Sequence, residues 1–230
     1  MTRKRIIILT GAGMSAESGI KTFRDSDGLW ENYRIEDVAT FDAWQRNREL
    51  VLDFYNQRRR QLLTCGPNSA HKALVELEAK YDVDIITQNV DDLHERAGSK
   101  KVTHLHGELL KVRSTADEHL IYEWKKDLHS GDKCEKGSQL RPHIVWFGEQ
   151  VPMIETAANI CSKADILIVI GTSMVVYPAA GLVHYTDFTV PKIVIDPKRP
   201  EIATMQNVEY ITETAVSGVR KIVDRLIMKN

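Results

Sequence analysis

The sequence has 230 residues, 43% hydrophobic and 27% charged, the composition of an ordinary globular chain long enough to bury a substantial core. A formal net charge of −1 leaves no global field to attract nucleic acid or an anionic membrane surface, so partners of both kinds are excluded from the expectation. The three cysteines, Cys65, Cys134 and Cys161, are odd in number and lack C-x-x-C spacing, which argues against a disulfide framework and for a reducing compartment, the cytoplasm.

The opening MTRKRIIILTGAG has a basic start, but its apolar run stops after Leu9 at a glycine turn, so it reads as a buried strand over 5–10 and not as a signal peptide. In the following GAGMSAESG, Gly11 and Gly13 make either a plain turn or a close backbone approach to a phosphate, with N–H donors from the helix that follows. Read as G-x-G-x-x-A, the stretch resembles a dinucleotide-binding fingerprint. A dehydrogenase would then need a second strand ending in an acidic residue about 20 residues on. Here IKTFRDSDGLWENYR follows, polar, aromatic and loop-like, which counts against hydride transfer and suggests a loop that covers the ligand.

Residues 25–66 break any strand and helix alternation. Within them RELVLDFYNQRRRQLL, 48–63, predicts a helix with an apolar stripe of Val51, Phe54, Tyr55 and Leu62. Arg58 falls on that stripe, three residues after Tyr55, so both can meet one ligand; a buried guanidinium needs an anionic partner or a wet cleft. An internal ion pair with Asp53 or Glu49 is the structural alternative, and Arg59 and Arg60 are expected on a solvated basic face. NSAHKALVELEAKY, 68–81, predicts a helix behind an Asn/Ser cap, with Ala70, Leu74, Leu77 and Tyr81 at helical spacing.

VDIITQN, 83–89, is the second buried strand, and TQNVDDLHERAG leaves its end with a cluster of amides and carboxylates; Asn89 or Asp91 can also cap a helix. In VTHLHGEL, His104 and His106 share a face if the segment is extended. No third ligand lies at a convincing spacing, so the histidines read as structural, with a general-base role open to one of them. Residues 107–144 are charged with few core formers. DILIVIGTS and KIVIDP, at 165–173 and 192–197, are two further buried strands; Thr172, Ser173 and Asp196 at their ends suit phosphate or ribose hydroxyls, or serve as ordinary turn residues. The tail TAVSGVRKIVDRLIMK places Val216, Val219, Ile222 and Leu226 on one face of a docking helix. No apolar run approaches the ~18 residues that span a membrane. Strands that lead into glycine or polar residues and alternate with helices imply an α/β fold with a parallel sheet, and the two misfit stretches imply a smaller module formed by two insertions.

Taken in order, GAGMSAESGIKTFR, TQNVDDLHERAG, HLHGEL, RPHIVWFGE and GTS resemble the sirtuins, the NAD-dependent protein lysine deacylases. The resemblance implies a Rossmann-like NAD-binding domain over 1–24, 67–106 and 145–230. It also implies a helical insertion over 25–66, a zinc-ribbon-like insertion over 107–144, and acyl-lysine entering the cleft between domain and module. In that family the acyl oxygen attacks the ribose carbon bearing nicotinamide. A histidine then deprotonates a ribose hydroxyl, and the products are nicotinamide, O-acyl-ADP-ribose and free lysine.

By motif position that histidine is His106, with Asn89 beside it as the second catalytic residue, while His104 stays structural. The NAD contacts carried over are Gly11, Ala12, Gly13, Ser15, Glu17, Phe23, Arg24, Trp30, Gln88, Asp91, Gly171, Thr172, Ser173, Asp196 and Ala215; at Asp196 the family often has asparagine. Val145, Trp146 and Phe147 match the strand that pairs with the substrate backbone. Tyr55 and Arg58 resemble the Y-x-x-R pair of sirtuins that remove succinyl and malonyl groups, in which the guanidinium takes the distal carboxylate. The expected activity is thus desuccinylation and demalonylation, with deacetylation retained, on acylated lysine-containing proteins by a monomer.

Most sirtuins hold a structural zinc with two cysteine pairs in the second insertion. Here Ser114 and Thr115 stand in the first pair's place and only Cys134 remains near the second, so no zinc is expected, and Leu120, Tyr122, Trp124 and Leu128 are the expected anchors of the module. The competing readings are a NAD-dependent dehydrogenase, a protein ADP-ribosyltransferase and a non-catalytic NAD-binding module.

Overall fold

Ile6, Ile7 and Ile8 are wholly buried, although successive side chains of a strand point to opposite faces. A strand apolar on both faces needs cover on both, and that requirement puts it inside a parallel sheet. The computed structural model describes residues 3–21, 29–30 (backbone only), 33–199 and 205–228. Its six-stranded parallel sheet runs in the order β11 (Val208–Ile211), β10 (Lys192–Ile195), β9 (Ile166–Ile170), β1 (Arg5–Thr10), β4 (Asp82–Thr87) and β5 (Val102–His104). In chain order the strands lie 3-2-1-4-5-6, a doubly wound Rossmann arrangement whose direction of winding reverses between β1 and β9. The four strands read from the apolar runs are present. The edge strands β5 and β11 were not legible, being three and four residues long without a buried run.

The period of two sorts the sheet into two cores. Ile6, Ile8, Ile85, Ile168 and Ile195 lie under α4 (Ser69–Leu77) and α7 (Ala215–Met228), while Ile7, Leu9, Ile86, Leu167 and Val169 lie under α6 (Ile154–Cys161) and a 3-10 segment over Ala179–Tyr185. Asn68 starts α4 as expected: its Oδ1 accepts from the amides of Ala70 and His71 at 2.9 and 3.2 Å, and the His71 ring accepts back from the Asn68 amide at 3.3 Å. On α7, a Cβ at Gly218 would lie 2.3 Å from Ile195 Cγ2, so glycine lets the helix settle onto β10.

The two insertions share one core. The first contributes a short hairpin of β2 (Leu29–Trp30) and β3 (Tyr33–Arg34), then α1 (Ile35–Val38), α2 (Phe41–Arg46) and α3 (Arg48–Thr64). The second is an antiparallel sheet in the order β7 (Ile121–Glu123), β6 (Gly107–Ser114), β8 (Leu140–Ile144). Val51, Phe54, Tyr55 and Leu62 of α3 pack with Leu109, Val112, Leu128, Leu140 and Ile144. Trp146, just past β8, is buried in this same core. Leu120, Tyr122 and Trp124 pack against it partly buried.

One expectation is corrected. Arg59, placed on a solvated face, is wholly buried. Its Nε donates to Leu109 O at 3.1 Å and its Nη1 to Asn56 Oδ1 at 2.7 Å; Asn56 in turn donates to Leu128 O at 2.9 Å and accepts from Leu128 N at 2.8 Å. The second insertion covers a face of α3 that the sequence pattern leaves polar, and burial lowers the Arg59 pKa to about 10. Arg60 does remain exposed, paired with Asp127 at 2.5 Å.

Candidate active site

In a doubly wound sheet a ligand lies beyond the carboxyl ends of the strands where the winding reverses. Here the loops after β1 and β9 cross at that point with almost no space between them. Gly13 N donates to Gly171 O at 2.8 Å; a Cβ on Gly13 would sit 2.6 Å from Gly171 Cα, and one on Gly11 2.7 Å from Thr172 Cβ. Gly171 has φ +62, and its own Cβ would meet Met14 N at 2.4 Å. The glycines that read as phosphate-approach residues are therefore required first by this loop crossing.

Around the crossing lies a layer of buried polar groups. Asn89 donates from Nδ2 to Gly11 O at 3.1 Å and to Ser15 Oγ at 3.2 Å, which fixes the amide end and leaves Oδ1 outside these contacts. Ser15 Oγ donates to Asp91 Oδ2 at 2.9 Å, and Asp91 Oδ1 accepts from Leu93 N, the first residue of α5 (Leu93–Ala97), at 3.2 Å. Burial raises the Asp91 pKa. Gln88 Nε2 donates to Thr172 Oγ1 at 3.1 Å, which ties the ends of β4 and β9 together.

The two histidines lie against the backbone of this layer. His104 Nδ1 meets Asn89 O at 3.0 Å and His106 Nδ1 meets Gln88 O at 3.1 Å. A carbonyl can only accept, so each Nδ1 carries the proton. His104 Nε2 meets the Glu95 carboxylate at 2.8 Å; although burial opposes it, this pairing raises the His104 pKa. Burial lowers the His106 pKa, with only the Gln88 carbonyl acting against it, so His106 holds a neutral ring with its basic lone pair on Nε2.

Asp196 is 4% exposed and its Oδ1 accepts from Lys198 N at 2.9 Å. Glu17 reaches α7, accepting from Val216 N at 2.9 Å and Thr214 Oγ1 at 3.2 Å beside Ala215. Ala12 and Ser173 are half-buried at the crossing. Phe23, Arg24 and the Trp30 side chain lie outside the described residues. The donors and acceptors at the ends of β1, β4, β9 and β10 thus suit a dinucleotide: small residues where two loops meet, amides and hydroxyls, and an acidic group at Asp196.

Tyr55 and Arg58 come together on the face of α3 that meets the module core, 1% and 7% exposed, with the Arg58 guanidinium 5.7 Å from the Phe54 ring centre. Of the two carboxylates expected as its alternative partners, Asp53 accepts from Gln57 Nε2 at 2.7 Å and Glu49 from Ser130 Oγ. Residues 145–147 do not extend β8. Val145 N donates to His106 O at 2.9 Å, Phe147 N to Ala39 O at 3.0 Å and Trp146 N to Glu149 Oε2 at 2.8 Å.

A model of the Sir2 family matches residues 11–178. The chain belongs to the Sir2 family. It is 56% identical over 224 residues to a NAD-dependent protein deacylase of Helicobacter pylori, covering 97% of this chain and 98% of that one, and 52% identical over 230 residues to a protein of the same name from Bacteroides thetaiotaomicron, covering 97% and 98%. Among solved structures, a Sir2 homologue in complex with ADP-ribose superposes with a TM-score of 0.90 at 39% identity, over 99% of this chain and 95% of that one. A Sir2 homologue in complex with NAD gives 0.88 at 40% identity, over 98% and 90%.

Two parts of this Sir2 site carried no role in the sequence reading. Glu149, inside the quoted RPHIVWFGE, holds Arg141 through both carboxylate oxygens at 2.7 and 3.0 Å as well as the Trp146 amide. Beneath Asn89 a buried chain runs from His94 Nε2 to Thr10 Oγ1 at 3.1 Å, to Thr87 Oγ1 at 2.8 Å and on to the Asn89 amide at 3.0 Å. A threonine at the last position of β1 and of β4 was the available signal. In the second insertion, Ser114 Oγ accepts from Ala116 N at 3.1 Å, Asp117 N at 3.3 Å and Cys134 Sγ at 3.3 Å. Among the described residues no group of three or more His, Cys, Asp or Glu is placed to hold a metal ion, and no helix is long and apolar enough to cross a membrane.

Proposed function

We propose that this chain is an NAD-dependent protein lysine deacylase acting on acetyl-lysine and on the acidic acyl groups succinyl and malonyl, releasing nicotinamide, O-acyl-ADP-ribose and free lysine. The observation that carries the catalytic reading is the His106 ring: its Nδ1–H is spent on the Gln88 carbonyl at 3.1 Å, and burial keeps Nε2 a free base. NAD, when bound, supplies an electrophilic ribose carbon and a nicotinamide leaving group. The chain's own residues orient, exclude water and move one proton. Asn89 and Asp91, braced through Ser15, present amide and carboxylate toward the ribose side of the cleft, Thr172 and Asp196 serve the adenosine side, and His106 Nε2 takes the proton from a ribose hydroxyl.

The acidic-acyl reading rests on the Y-x-x-R spacing of Tyr55 and Arg58, which brings a planar guanidinium and a phenol to one face of α3, a donor pair of the geometry that suits a carboxylate. The polar clasp between Arg59, Asn56 and Leu128 and the hydrogen bonds gathered on Ser114 support a module that needs no zinc. Acetyl-, succinyl- and malonyl-lysine peptides, incubated with and without NAD and weighed by mass spectrometry, test the proposal. Acyl loss only with NAD is expected, and no succinyl loss under conditions that remove acetyl would end the acidic-acyl reading.

A further inference from the structure

The peptide that joins Gln88 to Asn89 is gripped on both edges. Its carbonyl accepts from His106 Nδ1 at 3.1 Å, and its N–H donates to Thr87 Oγ1 at 3.0 Å. A peptide group is planar, so turning the N–H turns the carbonyl, and with it the ring that the carbonyl holds. Thr87 Oγ1 is itself fixed: Thr10 Oγ1 donates to it at 2.8 Å, the two residues facing each other in register across β1 and β4. That spends the only proton of the Thr10 hydroxyl, so at its second contact, 3.1 Å to His94 Nε2, the hydroxyl accepts and the ring donates. The His71 ring closes the far side of His94, edge-on, with centres 4.9 Å apart at 62°. Thr10 also anchors the residue before the peptide plane, its carbonyl accepting from Gln88 N at 2.9 Å. Thr10, Thr87 and His94 are at most 1% exposed, so solvent does not compete for these bonds.

We infer that Thr10, Thr87 and His94 are positioning residues for His106: from beneath the site they set the plane of the Gln88–Asn89 peptide, and the carbonyl of that peptide sets the orientation and tautomer of the base. A ring whose Nδ1–H has a fixed acceptor keeps its lone pair on Nε2, where a proton can be taken up. The inference rests on the reading of His106 as the base and adds to it what holds the base in place. His71 acts one step further back, by packing on the His94 ring.

Thr10→Val and His94→Phe break the chain of bonds at different links, so each stands in for the other if one does not fold. In both, kcat on acetyl-lysine peptide is expected to fall about tenfold with KM unchanged, the scale of one hydrogen bond. Thr10→Ser, which returns the hydroxyl, should recover most of that loss. The double variant should lose no more than the larger single loss, because both substitutions cut one chain. A readout that a loss of stability alone would not move is the 15N shift of the His106 ring nitrogens, taken in the protein without NAD at a pH where the ring is neutral. Wild type should show the single Nδ1–H tautomer and both variants a mixture. A folded variant whose His106 keeps the single tautomer, or whose kcat matches wild type, would overturn the inference, as would full additivity of the two losses. Full turnover in His106→Ala would instead overturn the base reading beneath it, and the ring shifts would still decide whether the chain orients the ring.

Discussion

His104 and His106, two residues apart, are pushed in opposite directions: Glu95 at 2.8 Å from Nε2 raises the His104 pKa, and burial lowers that of His106. One strand end thus holds a ring that favours its proton against the Asn89 carbonyl and, next to it, a ring that resists protonation. The rate should accordingly have an acid limb below the ordinary histidine range. His106 must be neutral to act, its pKa is lowered by burial, and activity is therefore retained as pH falls to the usual value near 6.5 and lost only beneath it. A kcat/KM profile with its acid midpoint above 6.5 would exclude His106 as the base. His106→Ala should lower kcat by about 10²–10⁴-fold with the fold intact by circular dichroism.

Tyr55→Phe combined with Arg58→Met should reduce turnover of succinyl-lysine peptide far more than that of acetyl-lysine, by on the order of 10²-fold in relative kcat/KM, since both donors to the distal carboxylate are gone. Steady-state assays on matched peptides check this, and a parallel fall on both substrates would assign the pair to the module core alone.

His71 is wholly buried, and burial lowers its pKa from 6.5 to about 4; the neighbouring His94 is shifted the same way. The unfolded chain protonates these rings near 6.5 while the folded chain resists. Stability contributed by the neutral form is therefore complete above pH 6.5 and is lost as pH falls from there to about 4, by about 3 kcal/mol for His71. Urea denaturation at pH 7 and pH 4.5, compared with His71→Asn, measures that share of the slope.

Melting and activity should be indifferent to strong chelators, because Ser114 and the Asn56 clasp hold the second insertion through hydrogen bonds. One equivalent of zinc by elemental analysis of the washed protein would refute this. Asn56→Ala, which strands Arg59 Nη1 and both polar groups of Leu128, should cost about 3 kcal/mol by thermal or chemical unfolding.

What the sequence disclosed follows from the range of the interactions involved. Ile6–Leu9 and Ile166–Ile170 are runs apolar on both faces, and the capping of α4 by Asn68 is written in adjacent residues, so the parallel sheet and its helices were readable. Arg59 was misplaced because Leu109, which it meets, and Leu128, which fixes its neighbour Asn56, come from a segment 50 or more residues away, and a charge run alone looks solvated. The burial of Trp146 in the module core was hidden for the same reason: its indole meets Tyr55 across 91 residues, while its local motif suggests only a substrate-pairing strand. His104 and His106 could be noticed as a pair but not told apart by chemistry until Glu95 was in place.

Glu17 sits in the loop after β1 and accepts from Val216 N at the start of α7, the last helix of the chain. One carboxylate therefore serves two masters, the loop expected to hold the dinucleotide and the anchoring of the carboxyl-terminal tail. The start of α7 and the loop that follows β1 are thus stitched together across 199 residues of sequence, so Glu17 closes a ring between the first crossover of the sheet and its last helix.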